Sequence, residues 1–446
     1  MQVFRWLNPG LRVKRWIVTA FVGLCLILIG VLLLLGPGTV SMLGKQTFVL
    51  IGDMLGAYSR WNGIVFLFAG GFLLWFAVDK AINSIVQTLL PYEEEKLVAV
   101  LNRHRQQKKG PEIVAMGGGT GLPNLLRGLK PYTQNITAVV TVADDGGSSG
   151  KLRGEMGMIP PGDVRNCLLA LADTEPLMEE IFSYRFKTHG DLSGHNVGNL
   201  IIAALNDKRG FKGALSSLSH VLAVKGQVLP VSDTSLTLMA QCRNGEKIIG
   251  ESNITHEDTV IDRVELAETG VSALPEVVEA IKSADAVILG PGSLYTSIVP
   301  NIIVPGVVEA IKASSTRVIY VSNIMTQKGE TEDYSASDHV EALEKHAGSQ
   351  LVDTVLVNNE MSISPEILEK YLKEGQKPVR PDLERLNAMV ERVVMDDFSS
   401  QDLVIRHNPR KLGRVIIREI IRDNMVKNKL SLPNFLQGLF KKPENQ

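Results

Sequence analysis

Cysteine is scarce in this chain, with three among 446 residues. Cys25 lies in an apolar run, and Cys167 and Cys242 stand far apart with no C-x-x-C spacing. That excludes a disulfide framework and a thiolate zinc site, and reads as reduced thiols in a cytosolic body. Net charge is also nearly absent: 47 Lys and Arg face 48 Asp and Glu, for a net −1. No broad basic surface follows from such a balance, so no nucleic-acid partner is expected. The usual phosphate fingerprints are missing too. No Gly-Lys-Ser/Thr closes a Walker A loop, and G-x-G-x-x-G fails because Leu122 stands where the last glycine should fall. Residues 111–430 hold no internal repeat and no low-complexity tract.

Two long uncharged runs are present near the start. Residues 1–15 carry Arg5, Arg12, Lys14 and Arg15 and no acid; residues 16–35 carry no charge and are mostly Leu, Ile and Val. That length spans a bilayer core. A cleaved signal peptide is the rival, but its apolar core is normally shorter and ends in a small-residue cleavage site, which Gly36-Pro37-Gly38 does not supply. A retained helix is the better reading. A second run, residues 62–78, is flanked by Trp61 and contains Trp75, both placed as interfacial anchors.

Only Lys45, Asp53 and Arg60 lie between the runs, whereas Lys80, Lys96, Arg103, Arg105, Lys108 and Lys109 follow them. Positive charge marks the inner side. The expectation is a multi-pass protein of the inner or plasma membrane, with a cytoplasmic tail at 1–15, an anchor at 16–78 and a binding domain in the cytoplasm. Residues 47–55 are read as interfacial and not as a span. No intramembrane charge points to transport, so the role is that of an anchor. Residues 79–110 read as a helical connector. Ala81, Ile82, Ile85, Val86 and Leu89 have helical spacing before Pro91, and residues 93–105 form a second piece ahead of a polar boundary at 106–110.

From residue 111 strand and helix patterns alternate. Strands are expected at 113–116, 136–142, 286–289, 318–321 and 354–357; helices at 122–129, 168–182 and 274–283. This predicts an α/β domain over 111–430, a mostly parallel sheet with helices on both faces. Ligands bind outside the carboxyl ends of such strands. Residues 431–446 read as a loose tail.

Five motifs carry chemistry. Gly117, Gly118, Gly119, Thr120 and Gly121 follow the first strand and open a helix, which presents bare N–H groups suited to phosphate; a tight turn without ligand is the plainer reading. After the second strand, Asp144 and Asp145 enter a loop with Ser148 and Ser149. An acid there can bind a ribose hydroxyl or a metal, while the serines, helped by Lys151 and Arg153, can hold phosphate. Asp163, Arg165 and Asn166 follow Pro160-Pro161-Gly162; Asp163 can cap its helix or face the cleft. His195 and Asn199 are four apart in a glycine-led helix start and share a face if both are helical. Gly292, Ser293, Tyr295, Thr296, Ser297 and Asn301 follow the strand at 286–289, and Tyr295 is either a stacking ring for a base or sugar, or a core residue.

Together these motifs resemble the gluconeogenesis factor family, bacterial relatives of the 2-phospho-L-lactate transferase of deazaflavin cofactor synthesis. Residues 323–331 (Asn-Ile-Met-Thr-Gln-Lys-Gly-Glu-Thr) and 337–340 (Ser-Asp-His-Val) extend the likeness, which covers about 111–420 and leaves 1–110 aside. The resemblance implies a Rossmann-like fold. On its regulatory branch it implies UDP-sugar binding, with UDP-N-acetylglucosamine as a candidate and Tyr295 contacting the nucleotide sugar. It also implies a role in cell shape and envelope metabolism on gluconeogenic carbon, with cell-wall synthesis proteins as candidate partners and a homo-oligomer left open. On the transferase branch it implies a nucleotide, Mg2+ and a phosphorylated substrate, with Asp144 or Asp145 holding the metal. No cofactor is fixed; Mg2+ is the candidate.

Overall fold

The computed structural model describes residues 14–40, 60–89, 107–173, 176–187, 189–254, 260–359, 365–401 and 404–428. The interfacial segment at 47–55, the helical piece at 93–105 and the tail at 431–446 lie outside these. The chain divides into two units, Met1–Asn102 and Arg103–Gln446.

The first unit is a hairpin of two helices, α1 (Lys14–Val40) and α2 (Arg60–Leu89). Both are long and apolar enough to cross a membrane, over Arg15–Leu34 and Trp61–Ala81. The helices run antiparallel, because Gly23 meets Gly70 and Gly30 meets Gly63; a Cβ on Gly70 would stand 2.6 Å from the Gly23 carbonyl oxygen. Small residues of this kind let apolar helices touch main chain to main chain. Val18, Phe21, Leu28, Val65, Phe68 and Trp75 point outward. The stretch from Ala81 to Leu89, expected to begin a connector, is the continuation of α2. Nothing in it breaks a helix before Pro91.

The second unit is built on a seven-stranded sheet. Its strands are β1 (Ile113–Gly117), β2 (Ile136–Val140), β3 (Gln227–Pro230), β7 (Ala286–Leu289), β8 (Arg317–Val321), β9 (Thr354–Asn358) and β10 (Arg392–Asp396). The order is β10-β9-β8-β7-β1-β2-β3, and every pairing is parallel. A parallel sheet is buried on both faces, which is why β1 and β2 read as unbroken apolar runs. Side chains alternate between two cores. Ile113, Ala115, Ala138 and Ile288 pack under α3 (Gly121–Leu129), α5 (Gly162–Leu171), α7 (Val197–Val221) and α15 (Pro409–Asn428). Val114, Met116, Val139 and Leu289 pack under α9 (Pro275–Ser283), α11 (Val307–Lys312) and α12 (Ala336–Ala347). The fold is α/β and Rossmann-like, as expected. Three antiparallel strands, β4 (Leu238–Cys242), β5 (Lys247–Ile249) and β6 (Ile261–Leu266), form a separate small sheet on the second core.

Several expectations need correction. The helix expected over 168–182 is two, α5 and α6 (Pro176–Ser183), because Ala172 turns extended (ψ 148) and Pro176 disfavours helix in the residue before it. The strand expected over 136–142 ends at Val140. Two sheet strands, β3 and β10, went unpredicted; each is a sheet edge, and β3 ends in Pro230, a residue found at edges. The body also starts earlier than residue 111: Gln107 is buried and donates from Nε2 to the carbonyls of Lys130 and Pro131.

Candidate functional site

Strand order reverses around β1, which has β2 on one side and β7 on the other. At such a switch point the loops leaving the two strands diverge and open a crevice. Here that crevice is a cavity of about 250 Å³ at the carboxyl ends of β1, β7 and β8. Gly118, Gly119, Thr120 and Gly121 form one wall, and Gly292, Ser293 and Ser297 another. Gly119 has φ +60, which an L side chain rarely adopts. A Cβ on Gly121 would overlap the Pro291 carbonyl, so the two loops meet main chain to main chain.

The third wall comes from the loop after β8: Asn323, Ile324, Met325, Thr326 and Gln327. Gln327 Nε2 donates to Ser293 Oγ at 2.8 Å, tying this loop to the one after β7. Buried Glu330 makes a second tie. Its carboxylate accepts the Tyr295 N–H at 3.2 Å and the Thr296 hydroxyl at 3.1 Å, at the start of a π-turn over Leu294–Ile298. Burial pushes the Glu330 carboxyl up to about 7, against those two donors. Tyr371 and Gln376, together with Ile405, Arg406 and His407 of β12 (Ile405–His407), close the cavity. The Tyr371 hydroxyl accepts the Ile405 N–H at 3.1 Å. His407 Nε2 meets the Ser322 carbonyl at 3.1 Å, and burial holds its ring at about 4, neutral at ordinary pH.

Beside this cavity lies a buried polar network. Ser148 Oγ is 3.3 Å from His195 Nδ1, accepts Asn199 Nδ2 at 3.2 Å and accepts the Asn196 N–H at 3.3 Å. Arg165 donates to Asn199 Oδ1 and to Asn166 Oδ1, each at 2.7 Å. Burial lowers the Arg165 pKa to about 10, aided by Arg185. Ser149 packs against the backbone of Gly162. Ser148, Ser149, Arg165, His195 and Asn199 are all buried, so they brace the helix starts behind the crevice. His195 precedes α7, whose cap is Asn196; the two residues converge through Ser148 and not through helical spacing.

Asp163 joins network to cavity. It does not cap its own helix. Its Oδ2 accepts the Gly119 N–H at 2.7 Å. Desolvation raises its carboxyl to about 6, opposed by that N–H and helped by Asp144. Glu251, which faces the same acids, is raised to about 8, first by burial and then by Asp144 and Asp145.

Other expected contacts are overturned. Tyr295 is 1% exposed. Its hydroxyl bonds the Tyr334 hydroxyl at 2.8 Å and its ring packs edge-on against Tyr334 and His346, so it is a core residue and not a cleft ring. Thr296 is spent on Glu330, and Asn301 donates to the carbonyls of Gly117 (3.2 Å) and Ser297 (2.8 Å), bracing the main chain. Asp145 turns away from the cleft: its oxygens accept the N–H groups of Glu251 (3.0 Å) and Ser252 (2.9 Å) and the Ser252 hydroxyl. A carboxylate engaged that way is not placed to hold Mg2+. Asp144 gives Oδ1 to the Gly146 N–H at 3.0 Å, and among the described residues no three His, Cys, Asp or Glu side chains gather as a metal set.

Sequence reasoning missed Asn124, Thr326, Gln327, Tyr371, Arg406 and His407 as site residues. Residues 323–331 recur in the family resemblance, which was a signal for Gln327; Arg406 and His407 sit nearly 300 residues beyond the glycine loop and gave none.

The family described as 2-phospho-L-lactate transferase CofD matches residues 113–399. A putative gluconeogenesis factor of Nostoc sp. is 42% identical over 422 residues, covering 94% of this chain and 92% of that protein, a share that reaches into the helical hairpin. The gluconeogenesis factor of Bacillus subtilis is 47% identical over 309 residues, covering 69% of this chain and 97% of that one. A crystal structure of a Bacillus halodurans protein superposes with a TM-score of 0.67 at 47% identity, over 69% of this chain and 99% of that chain.

Proposed function

Since the chain belongs to the 2-phospho-L-lactate transferase family, among its gluconeogenesis factors, we propose that it is a membrane-tethered regulator that binds a nucleotide sugar of the UDP-sugar type. In this reading it couples that ligand to cell shape and envelope metabolism during gluconeogenic growth. The observation that carries it is the switch-point cavity: backbone of a glycine loop on one side, uncharged amides and hydroxyls on the other, Tyr371 and Arg406 at the margin. Backbone N–H groups at a helix start suit a diphosphate. Asn323, Thr326 and Gln327 suit sugar or base edges, and an aromatic ring and a guanidinium suit a base face and a phosphate. His407, neutral and bonded to a carbonyl, fixes the wall and does not act as a cation. The hairpin would supply the tether.

The second reading is a Mg2+-dependent transferase acting on a phosphorylated substrate. What favours it is Asp163, bonded to the glycine loop, with Asp144 close enough to raise its pKa, since Mg2+ commonly needs only one or two carboxylates plus substrate phosphates. Titration of the full chain in detergent with UDP-N-acetylglucosamine, followed by incubation with a deazaflavin and activated phospholactate, separates the two. Saturable binding without turnover supports the regulator; turnover supports the transferase; neither result would remove both.

A further inference from the structure

Gln327 is clamped on every side but one. Its N–H donates to the Thr331 hydroxyl at 3.0 Å, and its carbonyl accepts the N–H groups of Glu330 (3.2 Å) and Thr331 (2.9 Å). Its side-chain Nε2 donates to Ser293 Oγ at 2.8 Å. The remaining polar atom, Oε1, is buried and has no hydrogen-bond partner among the described residues. The residue lines the switch-point cavity, and among the described residues it is the one cavity-lining residue with such an orphaned side-chain atom. Buried acceptors are nearly always satisfied, and one that is not calls for an explanation. A fixed acceptor at a cavity wall is how a site rejects a ligand that lacks the matching donor.

We propose that Gln327 is the specificity-determining residue of this cavity, its Oε1 accepting a hydrogen bond from an N–H donor of the bound nucleotide sugar. The assignment rests on the nucleotide-sugar reading. Nε2 gives one of its two hydrogens to Ser293, and Oε1 is the atom of the amide left with no partner among the described residues. A group that only donates satisfies it and leaves no lone pair of its own unmet, whereas a hydroxyl would need a further partner. Two parts of such a ligand carry an N–H of this kind: the ring imide of a uracil-type base, and the acetamido group of an N-acetylated sugar. The neighbouring clamps keep the acceptor in place. Thr331 and Glu330 hold the Gln327 main chain, and Glu330 also fixes the Leu294–Ile298 turn that follows Ser293.

The test uses the full chain in detergent and three ligands: UDP-N-acetylglucosamine, UDP-glucose, which lacks the acetamide, and UDP-N-acetylglucosamine methylated at uracil N3. Calorimetric Kd values are compared between wild type and Gln327→Met, which keeps length and shape, with Gln327→Leu in reserve should the first variant not fold. The wild type is expected to lose about tenfold or more in affinity for one of the two altered ligands. Gln327→Met is expected to bind UDP-N-acetylglucosamine about that much more weakly and to have lost the discrimination. The altered ligand concerned identifies the donor as base or sugar. A folded variant that binds as tightly as wild type, or still discriminates, overturns the assignment alone. A wild type that binds none of the three overturns the nucleotide-sugar reading and this assignment with it.

Discussion

Asp163 on α5 holds the Gly119 N–H of the β1–α3 loop at 2.7 Å, across 44 residues of sequence. The glycine loop therefore does not keep its shape alone. One carboxylate oxygen from the neighbouring helix pins the residue whose φ of +60 sets the turn. Loss of that acceptor is expected to act at the cavity wall before it acts anywhere else.

Asp163→Ala leaves a desolvated N–H unpaired, which costs about 1–3 kcal/mol, and should weaken nucleotide-sugar binding through a disordered loop. Asp163→Asn keeps an oxygen acceptor, so its Tm should lie near the wild-type value. Melting curves and ligand titrations on the pair check this. Equal behaviour of the Ala and Asn variants would show that the bond to Gly119 is not what holds the loop.

Glu330 gives a pH dependence with a defined sign. Its folded pKa of about 7 lies above the ordinary 4.5 because burial penalises the charge. The folded state therefore binds more protons than the unfolded state between pH 4.5 and 7, and this group's contribution to stability falls as pH rises through that window. Glu330→Gln removes the titration and keeps one acceptor oxygen. The difference in Tm between variant and wild type should shift in the variant's favour from pH 5 to pH 8. A difference independent of pH would refute the assignment.

Tyr295 and Tyr371 should behave oppositely. Tyr295 is enclosed between Tyr334 and His346, so Tyr295→Ala should cost about 3–5 kcal/mol of stability as a large cavity in the core. Tyr371 lies at the cavity margin and is only half-buried. Tyr371→Ala should leave the Tm nearly unchanged and weaken UDP-sugar binding by about 1–3 kcal/mol if the ring stacks on the base. The same two measurements on each variant decide both halves. A Tyr371→Ala protein with full affinity would take the ring out of the site.

The hairpin predicts topology. Antiparallel α1 and α2 place their outer ends on one side, and if the hairpin crosses a membrane, as proposed, the basic residues flanking both apolar runs would put that side in the cytoplasm. A reporter active only in the cytoplasm, fused at Gln446, and one active only outside, inserted at Gly44, should both be active. Silence of the cytoplasmic reporter would refute the arrangement. Replacing Gly70 by Leu, where even a Cβ would meet the Gly23 carbonyl at 2.6 Å, should separate the helices, read as loss of cross-linking between cysteines engineered on their facing sides.

The α/β class and the interior sheet strands β1, β2, β7, β8 and β9 are legible in the order of residues alone. A strand buried on both faces must be apolar throughout, and that pattern is local. Residue order also locates the glycine loop at the end of β1, and Gly292, Ser293 and Ser297 at the end of β7, because strand–turn–helix junctions leave a local trace. Edge strands β3 and β10 left a weaker one, because each is buried along only part of its length.

Which polar residues face the cavity depends on contacts between segments far apart in sequence. Tyr295 and Ser297 share a turn, yet one enters the core and the other the cavity, because a π-turn anchored on Glu330 sets their directions. Asp144 and Asp145 are adjacent, yet the second is consumed by the start of a short helix 106 residues away. Gln327, Tyr371 and Arg406 reach the site because the segments that follow the parallel strands β8, β9 and β10 in sequence converge on it. Periodicity reports how buried a residue is along one element. The direction of a side chain at a loop depends on partners that lie far along the chain.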